Sequence, residues 1–203
     1  MSSRDQRDSA GELGKSAVKW EVVPAISEQE YQHSVSPRRA WRPMPFGKYE
    51  GRTLPQVLLK DPDYFFWLLR EGALKGALAM QAKHLAKKAC RIRIPREPAE
   101  AFVVDYFFNS ENQFSCFSIV SKDAYQSPHV VYRLNHIDFS TIRNHKEYAK
   151  GEYKRFLRDF RRVFFGNESA SMTKDRCEEF FDGDNFLTDH EYRECIAACL
   201  RGL

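Results

Sequence analysis

The chain has 203 residues, of which 32 are Lys or Arg, 28 are Asp or Glu and 42% are hydrophobic. This length suits one or two domains, and this hydrophobic fraction excludes a wholly disordered chain. No apolar run reaches the roughly 18 residues that a transmembrane helix needs, and the first residues lack the apolar stretch of a secretory signal. We therefore expect a cytoplasmic protein with no membrane partner.

Positive charge is concentrated in two blocks of the sequence. Residues 38–96 contain 14 Lys or Arg and 4 Asp or Glu, a net charge of +10. Residues 143–162 have a net charge of +5, whereas residues 174–203 have a net charge of −4. Cations clustered among aromatic residues are typical of surfaces that contact phosphates. The alternative is a solvated helix face, which the acidic C-terminal segment neutralises in part.

The first 39 residues are predicted to form a flexible leader and linker, because residues 1–16 have almost no apolar side chains. A tight turn follows, in which Gly47 and Gly51 bracket Lys48 and Tyr49.

A helix is predicted to begin at Asp61, which has the side chain of a good N-cap. Pro62 suits the first helical position and Asp63 suits the first turn, and the helix should end near Glu71. A second helix is expected over 73–90, where small and apolar residues recur on one side. Its other side is basic and contains Lys75, Lys83, His84, Lys87 and Lys88.

The remaining chain is predicted to form a sheet flanked by helices. Pro95 and Pro98 place a hinge at 91–99. Runs rich in β-branched and aromatic residues predict strands at 101–108, 113–120 and 129–134, the first two joined by a hairpin loop. Helical periodicity predicts helices at 146–165, 172–181 and 189–201. The predicted fold class is therefore α+β, with a small helical and hairpin basic module at 40–95 and an antiparallel sheet lobe flanked by helices at 100–203.

The segment from Met44 to Leu69 contains a recognisable motif: Pro45, Phe46, Gly47, Lys48 and Gly51, followed by Tyr64, Trp67, Leu68 and Leu69. It resembles the small domain at the carboxyl end of exonuclease X-like proteins. The resemblance implies an association with DNA metabolism and leaves the role of the domain itself undefined.

The same residues have a physical interpretation that is independent of the resemblance. Apolar side chains of this segment are expected to form a small core from Phe46, Leu54, Val57, Leu58, Trp67 and Leu68. Lys48 and Arg52 would then project from an exposed turn beside Tyr49, which suits a phosphate contact and stacking on a base.

Catalytic motifs are weak in this sequence. A nuclease with two metal ions needs a D-x-E on a buried strand with further Asp residues. The D-x-E at Asp189 to Glu191 follows Thr188, so a helix capping box accounts for it. Asp138 with His136 is a candidate proton-transfer pair, although such a pair is more often a surface turn. We expect five reduced cysteines and no metal or cofactor site.

The sequence thus favours a non-catalytic protein that binds nucleic acid, most readily DNA, or is recruited to it. The predicted contacts in the first block are Lys48, Tyr49, Arg52, Lys83, Lys87, Lys88 and Arg91, and those in the second are Arg155, Arg158, Arg161 and Arg162. One alternative is a protein-interaction adaptor or inhibitor that uses the α+β lobe. Another is a divergent nuclease.

Overall fold

The computed structural model describes residues 40–145 and 148–201, and for residues 196–201 it describes the backbone alone. The leader and linker predicted for residues 1–39 lie outside the described residues.

Three helices follow the first turn: α1 (Leu54–Leu58), α2 (Pro62–Arg70) and α3 (Gly76–Ala89). The predicted cap of α2 is confirmed, because the Asp61 Oδ1 accepts a hydrogen bond of 3.1 Å from the Tyr64 backbone N–H. Helix α3 begins three residues later than the sequence predicted. Helix α1 was not predicted as a helix, and its five residues are all buried.

A three-stranded antiparallel sheet forms the centre of the second part, from β1 (Phe102–Phe108), β2 (Phe114–Ser121) and β3 (Val130–Leu134). The strands lie in the order β2-β1-β3, so β1 is central and β2 and β3 are its edges. Each strand lies within one residue of its predicted bounds. The α+β fold class with an antiparallel sheet is therefore confirmed.

Four more helices complete the described chain: α4 (Ser140–Arg143), α5 (Glu152–Phe165), α6 (Lys174–Asp182) and α7 (Asp189–Arg201). Helix α5 packs against β2, and α6 packs against α1. Helix α5 begins six residues after the predicted start, because Gly151 precedes it with a φ of 105° that a helix cannot continue.

Aromatic rings link the sheet to the helices. Phe139 and Phe156 have ring centroids 4.6 Å apart, and Phe160 lies 5.5 Å from Phe139 and 5.2 Å from Phe180. The buried apolar side chains form one continuous cluster, which takes members from both predicted parts of the chain.

The predicted hinge at 91–99 forms backbone hydrogen bonds with residues much later in the chain. Ile92 is fully buried and forms isolated bridges with Ile137 and Phe186. The Arg93 backbone N–H also donates to the carbonyl of Asn185 over 2.8 Å. It stays a prediction that the chain divides at 91–99 into two parts that fold independently.

None of the helices in the described residues has the length and apolar composition that crossing a bilayer requires.

Candidate nucleic-acid interface

The P-F-G-K segment forms a short hairpin-like turn. The Met44 N–H donates to the Arg52 carbonyl and the Gly51 N–H donates to the Met44 carbonyl, both over 2.8 Å. Gly47 and Gly51 have φ values of 81° and 76°, which side chains other than hydrogen rarely allow. The turn therefore depends on both glycines of the motif.

Lys48 projects from this turn with 63% of its side chain exposed. Its Nζ lies 2.8 Å from the Asp61 Oδ2, which also accepts a 3.0 Å hydrogen bond from the Tyr49 hydroxyl. Burial opposes ionisation of Asp61, but the bonds from Lys48, the Tyr64 N–H and Tyr49 hold the pKa of this carboxyl below its usual value. Lys48 is thus an exposed cation that Asp61 holds against the turn.

Tyr49 lies in the core, not on the surface that the sequence suggested. Only 7% of the residue is exposed. Its ring meets the Tyr64 ring edge to face at 5.4 Å between centroids, and burial raises the pKa of its hydroxyl. A base has no access to this ring in the described conformation.

Two aromatic residues of the motif are exposed instead, so the expected core positions of Phe46 and Trp67 are wrong. Phe46 is 40% exposed and Trp67 is 42% exposed. Trp67 stacks on Tyr64 with centroids 5.6 Å apart and an interplanar angle of 25°. The other four residues of the expected small core are buried: Leu54, Val57, Leu58 and Leu68.

Gly47 connects the turn to this aromatic pair. A Cβ at position 47 would lie 2.4 Å from the Tyr64 hydroxyl oxygen and 3.7 Å from the ring carbon that bears it. Tyr64 therefore packs directly on the Gly47 backbone and supports Trp67 on its other side. Gly47, Tyr64 and Trp67 are thus connected by contacts, and Phe46 precedes Gly47 in the same turn.

The two glycines offer a matched test of this packing. We expect Gly51→Ala to destabilise the protein by about 1 kcal/mol, since its φ is positive but no atom lies within 4 Å of the added Cβ. Gly47→Ala should cost about 2–3 kcal/mol, because the displacement of Tyr64 adds to the backbone strain. Chemical denaturation measures both. In a Tyr64→Phe background, the two Ala substitutions should cost the same, and a persisting difference would contradict the proposed contact.

Exposed cations lie around the turn and its groove. Arg42 and Lys75 line a groove of about 640 Å³ together with Phe46 and Pro45. Arg52 follows Gly51 directly and is exposed. Within the described part of the chain, the ion pairs engage none of these three cations. Their charges are free to attract an anion.

The predicted basic surface on α3 is largely occupied by the C-terminal part of the chain. Lys88 donates to the Phe181 carbonyl and Arg91, which is buried, pairs with Asp189. Lys87 lies 3.7 Å from the same Asp189, and Lys83 is exposed. The acidic C-terminal segment therefore neutralises part of this block within the same molecule.

The four arginines of α5 also form hydrogen bonds or ion pairs within the protein. Arg155 donates to the Phe114 carbonyl over 2.9 Å, and Arg161 donates to the Leu59 carbonyl over 3.3 Å. Arg158 and Arg162 are about half exposed, and both face Asp159 at 3.5 and 3.1 Å. Arg155, Arg158 and Arg162 are exposed, whereas Arg161 is half-buried.

The D-x-E residues have the capping role that the sequence predicted. The Thr188 N–H donates to Glu191 over 2.7 Å, and the Glu191 N–H donates to the Thr188 hydroxyl over 3.2 Å. Glu191 also pairs with Arg93, and the bonds from Thr188 and Arg93 lower the pKa of its carboxyl to about 2. Among the described residues, no three His, Cys, Asp or Glu side chains are placed to hold a metal ion.

Asp138 and His136 lie near the same residue, because each of them interacts with Cys90. Asp138 accepts hydrogen bonds from the Ser140 N–H and hydroxyl at 2.7 and 2.9 Å, and burial raises the pKa of its carboxyl to about 6. His136 is buried against Tyr192, and burial lowers the pKa of its imidazole to about 4. Asp138 precedes α4 and accepts hydrogen bonds from Ser140, the first residue of this helix.

Comparison with protein-family models, with curated protein sequences and with solved structures finds no match to this chain. The resemblance of residues 44–69 to the exonuclease X tail therefore stays a prediction.

Proposed function

We propose that the protein binds single-stranded nucleic acid, DNA above all, without catalysing a reaction on it. The binding surface is the turn surface, defined as Phe46, Lys48, Arg52 and Trp67 together with the groove cations Arg42 and Lys75. The observation that carries this proposal is the exposure of two large aromatic side chains near three exposed cations, Arg42, Arg52 and Lys75, that no ion pair of the described chain engages.

Single strands are recognised without sequence preference by this combination of groups. Unpaired bases stack on exposed aromatic rings, while Lys and Arg follow the phosphate backbone. A duplex hides the faces of its bases, so the exposed rings favour a single strand. Stacking is available at Phe46 and Trp67, which replace Tyr49 as the candidate stacking residues.

The resemblance to the exonuclease X tail supports DNA as the nucleic acid. Most residues of that motif build the turn surface, because Gly47 and Gly51 shape the turn while Tyr64 supports Trp67. A motif that builds one exposed surface is consistent with a binding or recruitment role. Catalysis would need a second set of residues elsewhere.

The salt dependence of binding tests this proposal. Each phosphate contact on a single strand contributes about −0.7 to the slope of log affinity against log salt. We expect Lys48→Gln with Arg52→Gln to weaken binding of an unstructured dT oligonucleotide and to flatten the slope by about 1–1.5 units. The melting temperature should stay nearly unchanged, since both side chains are exposed.

Lys122→Gln with Lys150→Gln is the matched control, because both lysines are exposed and lie outside the turn surface. This control removes the same charge and should keep the parental slope. Equal slopes in both double variants would assign the attraction to net charge alone and would refute the turn surface as the binding site.

A further inference from the structure

Among residues 40–145 and 148–201, the side chains of α5 hydrogen-bond to the outer edge of β2 along its first half. The Phe114 N–H donates to Glu152 over 2.9 Å, and the Phe117 N–H donates to Asp159 over 3.3 Å. Arg155 donates to the Phe114 carbonyl. Side chains of α5 thus take the place of a neighbouring strand from residue 114 to residue 117.

The pairing of β2 with β1 shows where the edge continues. Phe117 pairs with Tyr106 and Ile119 pairs with Val104, in an unbroken antiparallel register. Because backbone directions alternate along a strand, the N–H and C=O of Ile119 point the same way as those of Phe117, away from β1. By the same alternation the N–H of Ser121 points outward, whereas its carbonyl already accepts a hydrogen bond of 3.0 Å from the Ala124 N–H.

Helix α5 offers no carboxylate to this second half. Glu152 and Asp159 are two helical turns apart, and one further turn brings Val163 beside the edge. Val163 lines a groove of about 430 Å³ together with Ile119 and Pro95. The side chain of a valine cannot accept a hydrogen bond, so the outward N–H and C=O of Ile119 border an open groove.

The groove is cationic. Arg96 and Arg162 line it, and none of its lining residues is acidic. Arg162 pairs with Asp159 at 3.1 Å, yet 55% of its side chain remains exposed. An unpaired strand edge beside an apolar wall is a template for a further strand. The positive charges of Arg96 and Arg162 favour an added strand that is acidic.

We propose that an acidic, extended segment of a partner protein adds as a strand to β2 at residues 118–121, with its carboxylates on Arg96 and Arg162. A second copy of this chain is a poor occupant, because pairing two such edges would bring the arginines of both copies together. Nucleic acid is also disfavoured, because the Phe117 ring is buried and Arg96 lies over the Phe102 ring at 5.4 Å. The Phe117 ring is therefore closed to a base, and Arg96 covers the Phe102 ring.

Synthetic peptides test this inference on the full-length protein. The probe is a fluorescein-labelled, amide-capped octapeptide of alternating Val and Asp. One control peptide has N-methyl groups on alternate backbone nitrogens, and the other has Lys in place of Asp. We expect only the unmethylated acidic peptide to bind and to shift the backbone amide signals of residues 118–121.

Substitutions test the charge selection. Arg96→Gln with Arg162→Gln should weaken binding of the acidic peptide by about five- to tenfold. Lys154→Gln with Lys174→Gln removes the same charge from exposed positions outside the groove and should leave the affinity unchanged. Melting of each variant shows whether the fold is intact.

Three results would overturn the inference. Equal binding of the N-methylated peptide would exclude strand addition, and absence of any amide shift at millimolar acidic peptide would exclude the site. A dT oligonucleotide that shifts residues 118–121 in place of the peptide would assign the groove to nucleic acid. Loss of oligonucleotide binding at the turn surface would leave the peptide result unaffected, so the two proposals fail separately.

Discussion

Replacing Phe46 and Trp67 together with Ala should weaken binding of a single-stranded dT oligonucleotide by at least about thirtyfold. Stacking of a base on an aromatic ring contributes about 1–3 kcal/mol, so the loss of two rings removes about 2–6 kcal/mol. At 1.4 kcal/mol for each factor of ten, the lower bound is about thirtyfold. Fluorescence anisotropy at fixed salt measures the affinity.

Exposed residues elsewhere supply the control for this double variant. Met80 and Tyr125 are large and exposed, and Met80→Ala with Tyr125→Ala should bind as the parent does. Both double variants should melt within a few degrees of the parent, since neither removes a buried side chain. If the variant without Phe46 and Trp67 binds the oligonucleotide with the parental affinity, these rings do not stack on bases. The turn surface would then contribute charge alone or take no part in binding.

Phe65→Ala should destabilise the protein by about 3–5 kcal/mol, the usual cost of truncating a buried phenylalanine. Phe65 is fully buried in α2, and its ring centroid lies 5.3 Å from that of Phe66. Urea denaturation measures the change. A loss below about 1 kcal/mol would show that the site collapses around the smaller side chain.

Amide exchange on the same variant tests the predicted boundary at 91–99. Because the buried side chains form one cluster across both predicted parts, we expect exchange to accelerate in β1 and α5 as well as in α1 to α3. Acceleration confined to residues 44–90 would instead show that the first part opens as an independent unit.

Local signals in the sequence account for most of the fold. Asp61 followed by Pro62 marks the start of α2, and Thr188 with Glu191 marks the start of α7, because each cap is made within four residues. The strands were predictable for a similar reason. β-branched and aromatic runs bounded by polar turns need no distant partner to be recognised.

The exposure of Trp67 could also be predicted from the sequence. Successive residues of a helix are about 100° apart, so Phe65 and Leu68 share a face while Trp67 points well away from both. Both are buried and Trp67 is exposed, as this geometry requires. The expected small core contained both Trp67 and Leu68, which this periodicity places on different sides of the helix.

The roles of the basic residues could not be predicted from sequence. Arg91 pairs with Asp189, 98 positions later, and Arg161 donates to the carbonyl of Leu59, 102 positions earlier. Only the tertiary fold brings these groups together. Counting charges along the sequence therefore overestimated the number of cations that a partner can reach. The count could not distinguish Arg52, which is exposed, from Arg91, which is buried and paired.

The cover of β2 by α5 also has a consequence for synthesis of the chain. Asp159 follows its partner Phe117 by 42 residues, so the hairpin of β1 and β2 is made well before the carboxylate that occupies its edge. At about 5–20 residues per second, this interval lasts about two to eight seconds. During that time the whole outer edge of β2 is open to other nascent chains, and translation speed between residues 117 and 159 sets how long this hazard persists.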